Sequence, residues 1–146
     1  MKFEEIKSIL EAGDKEAISN MSSKIYNSTD INFLRELSLH VNEFTQLVSV
    51  LPVESIFRDY RYTSLLAGNL LSEISNGGCF CAIYKSAEST PESLVHRGVI
   101  EIITKEVDFE DQTVDYKCKC KVCEANFNVT AVPTAYFDRH VWRRMG

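Results

Sequence analysis

All five cysteines fall between residues 79 and 123, as Cys79-x-Cys81, 36 intervening residues, and then Cys118-x-Cys120-x-x-Cys123. Thiolates are the ligands of choice for a borderline-soft cation, and four of them complete the tetrahedron that a structural Zn2+ demands. A Cys-x-x-Cys turn lets two sulfurs converge on one ion. A Cys-x-Cys pair on an extended segment does the same, because residues i and i+2 face one side. An odd number of clustered cysteines points to metal rather than to a disulfide framework. The expected ligands are Cys79, Cys81, Cys120 and Cys123. Cys118 is either a substitute ligand or a neighbour just outside the sulfurs, since an extended 118–120 segment turns both side chains the same way. His96 and His140 are outside candidates. The plain alternative, five free or core cysteines, ranks lower on spacing. An iron–sulfur cluster also takes four thiolates but ranks below zinc. A redox Cys-x-x-Cys is weaker still, because Lys121-Val122 leads into no evident helix whose N-terminus would lower a thiol pKa.

The run Tyr116-Lys117-Cys118-Lys119-Cys120-Lys121-Val122-Cys123-Glu124-Ala125-Asn126-Phe127-Asn128-Val129 resembles the second half of a zinc ribbon, in which a Cys-x-x-Cys knuckle precedes a small residue and then an aromatic, here Phe127. The resemblance covers residues 79–130 and implies a four-cysteine module with a structural ion. It departs from the usual ribbon in three places. The first pair has one spacer instead of two, Glu124 occupies a position where ribbons often carry Gly, and Cys118 is supernumerary.

No catalytic constellation accompanies the cysteines, and enzymatic activity is not expected. A catalytic zinc keeps one position open for water, whereas enough thiols are present here to close the shell. The His-x-Glu and Pro-Cys-x-x-Cys elements of zinc deaminases are absent, as are His-Glu-x-x-His and any Gly-rich phosphate loop. A cysteine–histidine nucleophilic pair with His96 or His140 is a weak drawing that any chain of this composition permits.

The elements that must position the sulfurs change character near residue 76. Phe3, Ile6, Ile9 and Leu10 form a helical stripe ended by Gly13. Asp14 caps a second helix with Ile18, Met21 and Ile25 on its buried side. After a turn capped at Thr29 or Asp30, one long third helix is predicted from Phe33, Leu34, Leu37, Val41, Phe44, Val48 and Leu51, ended or bent by Pro52. A fourth starts near Glu54, carries Ile56, Phe57, Tyr60, Leu66, Leu70 and Ile74, and stops at Asn76-Gly77-Gly78. Its Arg58-Asp59-Tyr60-Arg61-Tyr62 segment is read as a helix face with local ion pairs. Beyond it, Cys79–Tyr84 reads as a short strand and 85–94 as a loop. Val99–Val107 and Val114–Cys120 read as a hairpin about the Glu110-Asp111-Gln112 turn, and Phe127, Val129 and Ala131 as a further strand ended by Pro133. Residues 136–144 are a basic, aromatic tail that either docks on a partner or folds over the metal site. The predicted class is α+β: four helices packed on a C-terminal antiparallel sheet with a zinc-ribbon-like site. All of it forms one domain, 1–146, with a helical part (1–76) and a β-rich zinc-binding part (77–146).

The 146 residues contain 45% hydrophobic and 25% charged side chains, and the formal net charge is −5. That is enough apolar surface for a core that the ion need not hold together alone. The acidic balance, concentrated in residues 1–76, suits a basic protein partner. It disfavours general nucleic-acid binding, against which only the local groups Lys117, Lys119, Lys121 and Arg139, Arg143, Arg144 weigh. The opening MKFEEIKSIL lacks the apolar stretch of a secretory signal, and no membrane span is expected, so the expected location is cytoplasmic. The functional expectation is a non-enzymatic zinc-binding protein that works by protein–protein interaction, with a bacterial toxin-neutralising immunity protein as the type that size and charge suit. The alternative is a nucleic-acid-binding ribbon, with Phe127 or Trp142 stacking on bases, or a transcription or assembly adaptor.

Overall fold

The computed structural model describes residues 1–53, 60–87 and 89–146. The predicted helix start near Glu54, its Ile56 and Phe57, and Arg58 and Asp59 lie outside the described residues. The chain is α+β, with helices in the N-terminal part and an antiparallel sheet in the C-terminal part. Two compact units are present, Met1–Ala82 and Ile83–Gly146.

The first unit is helical. α1 (Phe3–Ala12) buries Phe3, Ile6 and Leu10 and ends at Gly13. α2 (Lys15–Tyr26) begins at Asp14, whose carboxylate accepts the Ala17 N–H at 3.0 Å, and buries Ile18, Met21 and Ile25. α3 (Ile31–Ser38) is capped by Asp30, which accepts from the Asn32 and Phe33 N–H groups, each at 3.1 Å. Each cap satisfies amide donors that no helical carbonyl can reach. The single long helix predicted here is instead two, because the ladder tightens at Leu39-His40. There the Leu39 and His40 amides bond to residues three back, Glu36 and Leu37. The Ser38 hydroxyl also takes the Arg35 carbonyl at 2.7 Å, competing with the backbone as Ser does inside helices. α4 (Val41–Ser49) then restarts from His40, whose ring stacks on Phe3 with centroids 4.4 Å apart. α5 (Tyr60–Ser75) buries Tyr60, Leu66, Leu70 and Ile74, as its stripe predicts. It packs against α2, α3 and α4, and the Ser22 and Ser64 hydroxyls pair at 2.9 Å within this apolar layer.

Two glycines shape the exit from α5. Gly77 takes φ +83°, the left-handed conformation that closes a helix. A Cβ on Gly78 would meet the Glu73 carbonyl oxygen at 2.8 Å, so only glycine fits where its N–H bonds that same oxygen. The strand predicted for Cys79–Tyr84 does not form. The Ala82 N–H bonds the Cys79 carbonyl at 3.1 Å, curling Phe80–Ile83 into a 3-10 turn. The segment from 85 to 94, predicted as a loop, likewise contains helix: the end of α6 (Tyr84–Ala87) and the start of α7 (Pro91–His96). Thr90 caps α7 by accepting the Ser93 N–H at 3.3 Å, and Pro91 sits at its first position, where a missing N–H costs nothing.

The sheet is a meander in the order β1-β2-β3-β4. β1 (Ile100–Asp108), β2 (Thr113–Cys120) and β3 (Asn126–Pro133) match the predicted strands. The basic tail is not a tail but a fourth strand, β4 (Asp138–Met145), paired along β3. Alternation sorts the faces: Tyr116, Cys118 and Cys120, Phe127, Val129 and Ala131, and Trp142 are buried, with α7 against β1 and α6 against β4. Among the described residues no helix is long and apolar enough to cross a membrane.

Candidate metal centre

The sulfurs of Cys79, Cys81, Cys120 and Cys123 all lie within 4.8 Å of one another, the one such group among the described residues. Cys79 and Cys81 flank Phe80 at the glycine-directed exit from α5. Cys120 ends β2, and Cys123 lies in the turn before β3. Backbone bonds set the shape of that turn. The Cys120 N–H donates to the Ala125 carbonyl at 2.9 Å, the Glu124 N–H donates to the Cys120 carbonyl at 2.9 Å, and the Lys121 N–H donates to the Val99 carbonyl at 3.0 Å. Cys81 and Cys120 are buried, Cys79 nearly so, and Cys123 faces solvent.

Four thiolates at about 2.3 Å from a central Zn2+ stand about 3.8 Å apart along each edge of a tetrahedron. A mutual limit of 4.8 Å therefore fits a single ion after a small contraction. None of the four is held in a disulfide, so the donor set is intact. Four nearby cysteines that can coordinate a metal ion are thus a feature of the fold.

Cys118 is not in the group. It is 1% exposed and pairs across the sheet with Ile102 and Phe127. Burial, and secondarily the charge of Glu92, pushes its thiol up to about 11, so it stays protonated at neutral pH. His96 closes α7 and His140 lies opposite Ala131, and neither belongs to the group.

Glu124 adopts φ +64°, where a Cβ is strained. The ribbon-like position at which sequence favours Gly is thus one at which the backbone does too. Its ion pair with Lys119, 3.8 Å long and exposed, offers little in return. Glu124→Gly is expected to raise the unfolding free energy by about 0.5 kcal/mol after the entropy cost of glycine is counted, seen as a higher urea midpoint. A lower midpoint would show that the pair outweighs the strain.

A polar cluster that sequence reading missed links α7 to the sheet. The Tyr116 hydroxyl and the Lys105 ammonium, the latter at 3.0 Å, both donate to the Glu92 carboxylate. Burial alone would raise the Glu92 pKa, but these two donors outweigh it and hold it below the ordinary carboxylate value. Burial and then Glu92 push the Tyr116 hydroxyl upward in turn. A carboxylate depressed in the folded state adds stability above its unfolded pKa and loses it as pH falls through the folded value. Glu92→Gln should therefore flatten the acid limb of a stability–pH profile below about pH 4.5. At neutral pH its cost should stay under about 1 kcal/mol, because the group is half-exposed and screened. An unchanged acid limb would remove Glu92 from the account. The signal was present in sequence only as Thr90-Pro91-Glu92, a helix start.

Phe127 and Trp142, considered as base-stacking aromatics, are buried instead. Their rings meet edge-on at 5.6 Å, and Tyr84 closes the cluster at 6.4 and 5.2 Å from them. The Trp142 indole N–H donates to the Ser89 carbonyl at 2.7 Å. No family model, no curated protein and no solved structure matches this chain at a significant level.

Proposed function

We propose that the chain is a non-enzymatic zinc protein: Cys79, Cys81, Cys120 and Cys123 hold one structural Zn2+, and the protein acts by binding a basic protein partner. The observation that carries the first half is the mutual approach of the four sulfurs within 4.8 Å. An iron–sulfur cluster distributes its thiolates over several irons and spreads them more widely than one ion does, so the tight group favours zinc. Four thiolates fill the tetrahedron and leave no position for a reacting water. Partner binding is supported by the net charge of −5. An immunity-type protein that masks a cationic toxin is the instance that size and charge suit best. Nucleic-acid binding loses the two aromatics considered for stacking, since Phe127 and Trp142 lie in the core.

The test is native mass spectrometry of the purified chain together with cobalt substitution. One zinc per chain, and a sulfur-to-cobalt charge-transfer band with tetrahedral ligand-field bands, are the expected results. Iron with inorganic sulfide, or no metal at all, would sink the zinc assignment.

A further inference from the structure

The strand registers bring two exposed aromatic turns to the same end of the sheet, opposite the cysteine knuckle. Val107, Val114, Ala131 and His140 form one cross-strand row. One row further out, Asp108 pairs with Thr113 and Val132 with Arg139. The β1–β2 turn, 109–112, and the β3–β4 turn, 134–137, therefore project from the same level, their centres roughly 10 Å apart at two strand spacings.

These turns carry the most exposed aromatic side chains among the described residues of the unit. Phe109 is 87% exposed, Tyr136 95% and Phe137 63%, and Val107 and Val132 flank them, also exposed. Scattered single apolar residues need no explanation, but three aromatics gathered on adjoining turns form a patch that folding alone does not require. The turns are also pre-ordered. The Asp108 carboxylate accepts the Glu110 and Asp111 N–H groups at 3.0 and 3.2 Å. The Thr134 N–H donates to the Phe137 carbonyl at 3.0 Å, and the Phe137 N–H to the Thr134 hydroxyl at 3.3 Å. Aromatics presented on ordered turns lose little further entropy when a partner covers them.

The charge between them selects the partner. Asp108, Glu110, Asp111 and Asp138 are interleaved with Phe109 and Phe137, against Arg139. Carboxylates around exposed rings repel phosphate, whether of nucleic acid or of an anionic lipid surface, and attract guanidinium and ammonium groups. These groups also lie favourably over aromatic faces. We infer that this end of the sheet is a docking surface for an arginine- or lysine-bearing segment of a protein partner, with Phe109, Tyr136 and Phe137 as its anchors. The inference rests on the partner-binding reading above and gives it a location.

The test uses the metal-loaded, 15N-labelled full chain and a short synthetic peptide of alternating Arg and Leu, with a Glu–Leu peptide as control. The Arg peptide should shift amides of 107–112 and 132–139, weaken as salt is raised, and lose roughly tenfold or more in affinity against the triple variant F109A/Y136A/F137A. Metal content and Trp142 fluorescence of that variant should match the parent. Equal shifts with the Glu peptide, or undiminished affinity in the variant, would overturn the inference. So would shifts of the same amides by an RNA oligonucleotide, by anionic vesicles, or by raising the protein's own concentration. Shifts by the Arg peptide confined to amides of Met1–Ala82 would refute the location and leave a basic partner standing. Binding nowhere would refute both.

Discussion

Cys120→Ser is expected to abolish binding of the proposed ion. If four thiolates share an apparent binding free energy of about 10–16 kcal/mol, the loss of one weakens binding by roughly 3 kcal/mol, about a hundredfold or more. Metal analysis of the purified variant should fall from one ion per chain to a small fraction. The chain has a single Trp, which lies in the sheet unit, so the fluorescence of Trp142 follows unfolding there without a label. Its urea midpoint should fall in the variant and, equally, in parent protein treated with a chelator, which the exposed Cys123 leaves open to attack. Cys118→Ala is the contrasting substitution. It removes a buried sulfur that lies outside the group of four, so one ion per chain should remain while stability drops by about 1–2 kcal/mol for the small void. Loss of metal in Cys118→Ala, or full metal in Cys120→Ser, would reverse the ligand assignment.

Trp142→Ala should be the most damaging single change away from sulfur. The side chain is 2% exposed, packs on Phe127 and Tyr84, and bonds Ser89. Truncation deletes the largest side chain of that cluster and leaves the Ser89 carbonyl without its donor, a cost of about 3–5 kcal/mol. Trp142→Phe keeps an aromatic ring and should cost about 1–2 kcal/mol, mainly for the lost hydrogen bond. Denaturation followed by circular dichroism or tyrosine fluorescence measures both. Similar stabilities for the two variants would mean that the hydrogen bond, and not the packing, carries the effect.

Sequence made the periodic elements legible and the short, context-dependent ones illegible. Stripes such as Ile18–Met21–Ile25 and Leu66–Leu70–Ile74 repeat for several turns, and the 113–120 and 126–133 strands alternate cleanly, so one period wins throughout each. The break at Leu39-His40 leaves the three- and four-residue spacing of apolar positions undisturbed, so no stripe betrays it. Its cause is a local backbone tightening beside Ser38 and a ring stack of His40 on Phe3. Cys79–Tyr84 has strand-like composition, yet Gly77 and Gly78 send the chain into a turn. β4 was hidden because its residues mix arginines with aromatics, as an edge strand with one solvated face allows. α7 was within reach: Thr90-Pro91 is a helix start that six residues of continuation make easy to pass over. At the candidate site the cysteine spacing was readable. The left-handed backbone of Glu124 was visible only as a missing glycine, and the Glu92 cluster depends on contacts between distant residues.

The connectivity of the sheet has a kinetic meaning. Every strand pairs with its immediate successor, so no pairing waits for a distant segment to be threaded between two others. The two outer turns each span about four residues, and closing loops that short takes on the order of tens of nanoseconds. Hairpin formation can then start from either end and meet at the central β2–β3 pair, a low-contact-order route that shortens the interval during which unpaired strand edges are open to aggregation.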